Sequence, residues 1–288
     1  MNQKILLSGI LMVSLLSAWE INMKIKKIQT IDSLGACQGI SIQNGKYFLY
    51  GDREVGMIRE FSLHGDSLVY NHKECKLTLN GKNIINHPTG IAYNGGPFVF
   101  LGNSVRLNKE GTQWKALIYR INWNKLWKTG TLDSSLLNTI EDDACIQGTR
   151  PEYVNYKGKE YIATADYGNH WNEVRLYDPE KLKNCKKTSE PGVLFKKFTC
   201  TPWVQNLFWL KNKGILVIIQ NQIEGRKWRF SFVDLEKSID AGKQILLKEI
   251  NIDEKNDELE GFAFRNSTEG IAVSSSRNKN VTFMGISW

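Results

Sequence analysis

Glu152, in the segment RPEYVNY, and Glu260, in DELEGFAF, each stand at the entry of a short apolar run, where two carboxylates of this 288-residue chain could meet. Carboxylates brought together need a counter-charge, a shared proton or a cation. Arg150 can supply the counter-charge, because a pair with Glu152 or Glu260 needs no ligand at all. A cation held by Glu152, Glu260 and the amide oxygens of Gln38 and Asn206 is a second reading, and a donor set made only of oxygens suits calcium. General acid or base work by either glutamate, or direct contact with a bound molecule, is a third. His170, beside Trp171 in ADYGNHWNEVR, is the remaining catalytic candidate, with a solvated loop histidine as the plain alternative. Gln38, Arg53, Arg150, Asp166, Trp171, Gln205 and Arg277 make up the candidate ligand-binding set.

These residues can act together only if the elements carrying them converge. Five stretches share one design: CQGISIQNGKYFLYGD, HPTGIAYNGGPFVFLGN, RPEYVNYKGKEYIATADYG, VQNLFWLKNKGILVIIQNQ and LEGFAFRNSTEGIAVSSS. In each, a polar or small residue leads into an alternating strand. A turn rich in Gly, Asn or Lys follows, and then a more apolar strand ending in polar residues. Taking Ile40, Ile91, Tyr153, Leu207 and Phe262 as equivalent points, the spacings are 51, 62, 54 and 55 residues, a period that indicates a propeller or solenoid. Each unit continues into a third strand, and four units into a fourth. The fifth unit stops at Trp288, while NMKIKKIQTI near the start alternates like a strand and has no sheet of its own. Pairing it with the last unit closes a ring. The expected fold is therefore all-β, a five-bladed β-propeller of four-stranded antiparallel blades closed by the N-terminal strand; a sixth blade would have to hide between Arg106 and Cys145.

In such a ring the entries of the first strands surround the axis, and the loops joining second and third strands open on the same face. Gln38, His87 with Thr89, Arg150 with Glu152, Gln205 with Asn206, and Glu258 with Glu260 then form an axial ring. Asp166, His170, Trp171, Arg53 and Arg277 lie around it. The opposite face carries short hairpin turns such as QNGK and NGGP, so the expected binding face is the polar one. Most tryptophans are expected to pack between blades, with Trp171 and Trp203 as the exceptions able to stack on a ligand.

Composition excludes several classes. The chain is 41% apolar and 11% aromatic with a net charge of +8, but its lysines are dispersed, so no nucleic acid partner is expected. Lys4 and the apolar stretch to Ala18 read as a signal peptide over residues 1–18, leaving residues 19–288 as one propeller domain with no membrane span and a periplasmic or secreted location. The four histidines lack zinc-site spacing, and no G-x-S-x-G elbow, phosphate loop or dinucleotide fingerprint occurs. Five cysteines without metal-ligand spacing leave Cys185 with Cys200 as the first candidate bridge and buried free thiols as the alternative.

The openings PEYVNY and LEGFAF resemble those of the calcium-activated nucleotidases, five-bladed propellers whose blades begin with axial serines and glutamates that hold a calcium ion. That resemblance implies calcium at Glu152 and Glu260, while Gln38, Thr89 and Gln205 or Asn206 stand at the other matching points. CQGISI is similar to the Q-G opening of the first blade of plant and bacterial glutaminyl cyclases, with Thr89 where their second blade carries a glutamate. A broader similarity to lactonase-like and NHL-type propellers concerns the fold. The function expected is an extracytoplasmic monomeric propeller holding a small polar molecule, or a peptide or glycan segment, at its axial face. The alternative is a cation-dependent hydrolase or lyase using the axial glutamates.

Overall fold

A computed structural model describes residues 20–32, 34–52, 55–145, 147–169, 172–223, 227–253 and 257–288. Within them five four-stranded antiparallel sheets are arranged as a five-bladed propeller. Blade 1 comprises Ala36–Gln43, Lys46–Asp52, Gly56–His64 and Ser67–Lys76; blade 2 comprises Pro88–Ala92, Phe98–Arg106, Trp114–Asn122 and Leu136–Glu141. Blade 3 comprises Glu152–Tyr156, Lys159–Ala165, Glu173–Tyr177 and Leu194–Thr199, and blade 4 Val204–Leu210, Ile215–Ile223, Lys227–Asp234 and Leu246–Ile252. Blade 5 takes Leu259–Asn266, Glu269–Ser274 and Val281–Ser287, and completes its sheet with Asn22–Gln29 from the other end of the chain.

The ring closure foreseen from the unpaired N-terminal strand is thus present. Asn22–Gln29 runs antiparallel to Val281–Ser287, from Asn22 opposite Ser287 to Gln29 opposite Val281. Asn280 clamps the junction: its Oδ1 accepts the Ile31 N–H at 2.9 Å and its Nδ2 donates to the Ile31 carbonyl at 2.9 Å. Of the two glycosylation-type triplets in the sequence, Asn280-Val281-Thr282 is therefore buried at its asparagine, whereas Asn266 of Asn266-Ser267-Thr268 is exposed.

Alternation within each strand sends apolar side chains into the seams between neighbouring blades, and among the described residues each seam has its own packed cluster. Phe48, Tyr50, Ile91 and Leu101 fill the seam between blades 1 and 2. Tyr177 and Ile118 join blades 2 and 3, and Leu176 and Leu216 join blades 3 and 4. Phe230 meets Phe262 edge-on at 5.1 Å between blades 4 and 5, and Leu49 packs with Val273 between blades 5 and 1. The structure corrects two readings. The segment TLDSSLLNTI, whose pattern reads as the fourth strand of blade 2, is strand only from Leu136; Asn122, Asp178 and Asp234 cap short helices, Trp123–Thr129, Pro179–Leu182 and Leu235–Ala241, between the third and fourth strands of blades 2, 3 and 4. Cys185 and Cys200 do not pair; both are free, and they pack in different seams.

Candidate functional site

The axial residues are set by a shared backbone device. In four of the five first strands one residue is extra relative to its partner strand: Gln38 between Cys37 and Gly39, Thr89 between Pro88 and Gly90, Gln205 between Val204 and Asn206, and Glu260 between Leu259 and Gly261. Such a β-bulge re-aims the side chain it carries. Blade 3 has no register shift of this kind; Arg150 stands just before its first strand, with its backbone N–H donating to Thr164 Oγ1 at 2.9 Å. All five residues are buried, with exposures of 7% or less.

Glycines let these strands crowd together. A Cβ on Gly39 would overlap the Tyr50 hydroxyl, and a Cβ on Gly261 would stand 2.8 Å from the Gly39 Cα. The phenol of Tyr50 therefore reaches towards the axis through the space that Gly39 leaves. There it accepts a hydrogen bond from Asn206 Nδ2 at 3.1 Å, and its fully buried hydroxyl is raised in pKa chiefly by desolvation, with Glu152 and Glu260 both adding to the rise.

The polar residues that the sequence places together divide into two layers. In the upper layer Arg150 donates from Nε to the Gln205 carbonyl at 3.3 Å and from Nη2 to Gln205 Oε1 at 3.2 Å. Its guanidinium lies 5.4 Å from the Tyr167 ring centroid. Burial works against its charge, and Asp166, then Glu260, support it. Asp166 Oδ1 accepts the Gln147 N–H at 2.9 Å. The residues beside Arg150 are tied to one another: the Thr89 hydroxyl donates to the Thr149 carbonyl, and the Thr149 and Thr164 hydroxyls share a hydrogen bond. Arg150 Nη1, however, is buried and has no hydrogen-bond partner; neither has Asn221 Nδ2 on blade 4.

The lower layer holds Glu152. It lines an axial cavity of about 70 Å³ together with Ser41, Tyr50, Ile91, Asn206 and Phe262, so that every blade contributes a wall. Glu152 is half-buried by exposed area, but its carboxyl lies within this narrow channel, and desolvation raises it well above the usual carboxylate range against the pull of the Trp209 backbone N–H. Arg150 is therefore not its partner and answers Asp166 and Glu260 instead. A pKa raised in the folded state is a stability penalty once pH exceeds the unfolded value of about 4.3. Glu152→Gln is accordingly expected to melt higher than the parent at pH 7.5, with the difference vanishing below about pH 4 as both states hold the proton. Equal melting temperatures at pH 7.5 in differential scanning calorimetry would refute the desolvated carboxyl.

The calcium ion implied by the nucleotidase resemblance does not fit these donors. Among the described residues no three His, Cys, Asp or Glu side chains group as a metal site. Asn206 turns its nitrogen inward, its Oδ1 being engaged by the Leu207 N–H at 2.9 Å. Arg150 already supplies positive charge on the axis.

Other candidates separate from this core. Arg277 is exposed on a blade 5 loop. Trp203 is half-buried and stands 5.3 Å from Tyr167, close to the axial cluster. Arg53, His170 and Trp171 lie outside the described residues, as does segment 1–18, expected from the sequence to be a signal peptide. Sequence reading missed Tyr50, whose signal was the glycine at position 39 against an apolar second strand. It also missed a cavity of about 600 Å³ on the opposite face, lined by Gln43, Phe48, Glu60, His72, Tyr93 and Trp127.

No family model and no curated protein sequence matches the chain. Among solved structures it is similar to the glutaminyl cyclase of Myxococcus xanthus, at a TM-score of 0.58 and 12% identity over 92% of this chain and 96% of that one. It also matches the hydrazine synthase of Kuenenia stuttgartiensis, at a TM-score of 0.44 and 11% identity over 85% of this chain and 57% of that one. At such identities the first likeness shows a shared propeller fold.

Proposed function

We propose that this propeller is a binding protein that captures a small polar molecule, or the end of a partner segment, at the axial mouth around Arg150. The observation that supports it most is the buried Arg150 Nη1, a charged donor left without a partner in an otherwise bonded guanidinium. Leaving a buried donor unpaired costs about 1–3 kcal/mol, a penalty that an acceptor-bearing ligand removes. Asn221 Nδ2 offers a second such donor. A carboxylate or a carbonyl supplies what both lack, and Tyr167 and Trp203 offer aromatic edges beside them. The periplasmic or secreted placement and the monomeric state remain part of this proposal.

The test is calorimetric titration of the whole chain with small mono- and dicarboxylates and N-acyl dipeptides, repeated on Arg150→Lys. Lysine keeps the charge but cannot present the planar fork, so affinity is expected to fall about 10- to 100-fold, the range of a charged hydrogen bond. Equal binding by the variant, or no binding by the parent to any of these acceptors, would reject the assignment.

A hydrolase or lyase is the second reading, favoured by one observation: Glu152 is a carboxyl on the axial cavity that desolvation raises well above the usual carboxylate range, the direction a general acid needs. Turnover of a phosphate ester, lactone, peptide or glycan that Glu152→Gln abolishes while leaving binding intact would establish it in place of a pure binding role.

A further inference from the structure

On the face away from Arg150, the cavity of about 600 Å³ between blades 1 and 2 has the size of a small-molecule site. Its two carboxylates are already matched. Glu60, only 5% exposed, takes Lys46 Nζ at 3.0 Å and Asn71 Nδ2 at 2.9 Å. Burial pushes its carboxyl up, but Lys46 and Asn71 outweigh that and hold it below the usual range. Glu74 takes Arg59 Nε at 3.1 Å and the Tyr70 hydroxyl at 3.2 Å.

Lys73 stands exposed at the rim, and the buried groups left unmatched are neutral. Gln43 is 4% exposed; its Nε2 donates to Ser41 Oγ at 3.0 Å, while its Oε1 is buried without a partner. The Trp127 indole N–H, on the helix that floors the cavity, is also buried without one. The indole is held in place by Phe48 and Trp123, whose ring centroids lie 5.2 and 5.6 Å away. The fourth strand of blade 1 shifts register beside Glu60, and there His72 adopts φ 56° and sets its ring 5.1 Å from Tyr70 at the cavity wall. One unpartnered acceptor and one unpartnered donor on the cavity wall, both uncharged and the donor flanked by aromatic rings, ask for groups that both give and take hydrogen bonds on a body with an apolar face. Hydroxyls on a pyranose meet that description.

We propose that this cavity binds a neutral saccharide unit, with Gln43 and Trp127 reading its hydroxyls and the Trp127–Phe48 wall taking its C–H face. The site is separate from the axial one and does not depend on it.

The experiment titrates the whole chain with neutral hexoses, N-acetylhexosamines and their disaccharides, followed by tryptophan fluorescence and calorimetry. Saturable binding is expected, weakened about tenfold or more by Trp127→Phe, which keeps a ring and removes the donor, and by Gln43→Leu. His72→Ala, an exposed substitution that leaves the fold intact, is expected to weaken it several-fold and serves if the buried variants unfold. Arg150→Lys should leave saccharide affinity unchanged. The proposal is overturned if no neutral saccharide binds, if binding survives Trp127→Phe and Gln43→Leu in folded protein, or if sugar phosphates compete in preference to their neutral parents.

Discussion

Arg150→Met is expected to destabilise the folded chain by about 3–5 kcal/mol, the cost of removing one partner from a buried charged set. Arg150 is 3% exposed and Asp166 and Glu260 are 4% and 3% exposed, so water cannot take over the lost charge. Burial already works against the guanidinium, and Asp166 and then Glu260 support it. Methionine fills much of the volume, so the loss reports electrostatics and the two bonds to Gln205 rather than a void. Adding Glu260→Gln to Arg150→Met should restore part of the stability, because the buried carboxylate that Arg150 faces becomes neutral. Urea unfolding of the parent, the single variant and the double variant measures this; a loss below about 1 kcal/mol, or no recovery in the double variant, would show that the three charges are not coupled.

Beginning the chain at Thr30 rather than Glu20 should lower the melting temperature by on the order of 10 °C or more and promote association. The truncation removes the strand that pairs with Val281–Ser287, leaving that buried strand as an open edge available to other chains. It also removes Ile21, fully buried between blades 4 and 5, and half-buried Met23 and Ile25. Ile21→Ala alone should cost about 2–5 kcal/mol, and a kilocalorie corresponds to about 2–4 °C in a chain of this size. A scanning calorimetry trace at two protein concentrations, with light scattering, decides the matter. An unchanged, monomeric transition would mean that the ring is held by its seams without the terminal strand.

How far the structure could be read in advance follows from the range of each interaction. The five units were legible because alternation and turn chemistry are local, and Ile40, Ile91, Tyr153, Leu207 and Phe262 mark the same point in every unit. Closure was legible because Asn22–Gln29 alternates like a strand without a sheet of its own. The axial positions of Gln38, Arg150, Gln205 and Glu260 followed from their place ahead of each first strand. Their partners did not follow. Whether Arg150 answers Glu152 or Glu260 depends on which layer each carboxyl occupies, and that depends on a one-residue shift in the Glu260 strand that no local pattern announces. Tyr50 was hidden because second-strand tyrosines ordinarily pack in seams, and only the bare Cα of Gly39 lets this one through. The cavity between blades 1 and 2 was missed because its walls come from four separate strands and a helix capped by Asn122, each unremarkable alone. Trp127, read from sequence as seam packing, is partly that, since it packs on Phe48, yet it also borders open space.

The extra residue in four of the first strands has a further consequence for how such a molecule can change through descent. Gln38, Thr89, Gln205 and Glu260 sit outside the pairing pattern of their ladders, so exchanging one of them leaves the alignment of every neighbouring strand as it was. The ring thus separates its chemistry from its architecture. Such tips can be exchanged against an unchanged backbone frame, with Gln205 and Glu260 also tied to Arg150 and obliged to change with it. Arg150 is the exception, because it carries the charge that the buried acids require, and it should be the last of the five to be replaced.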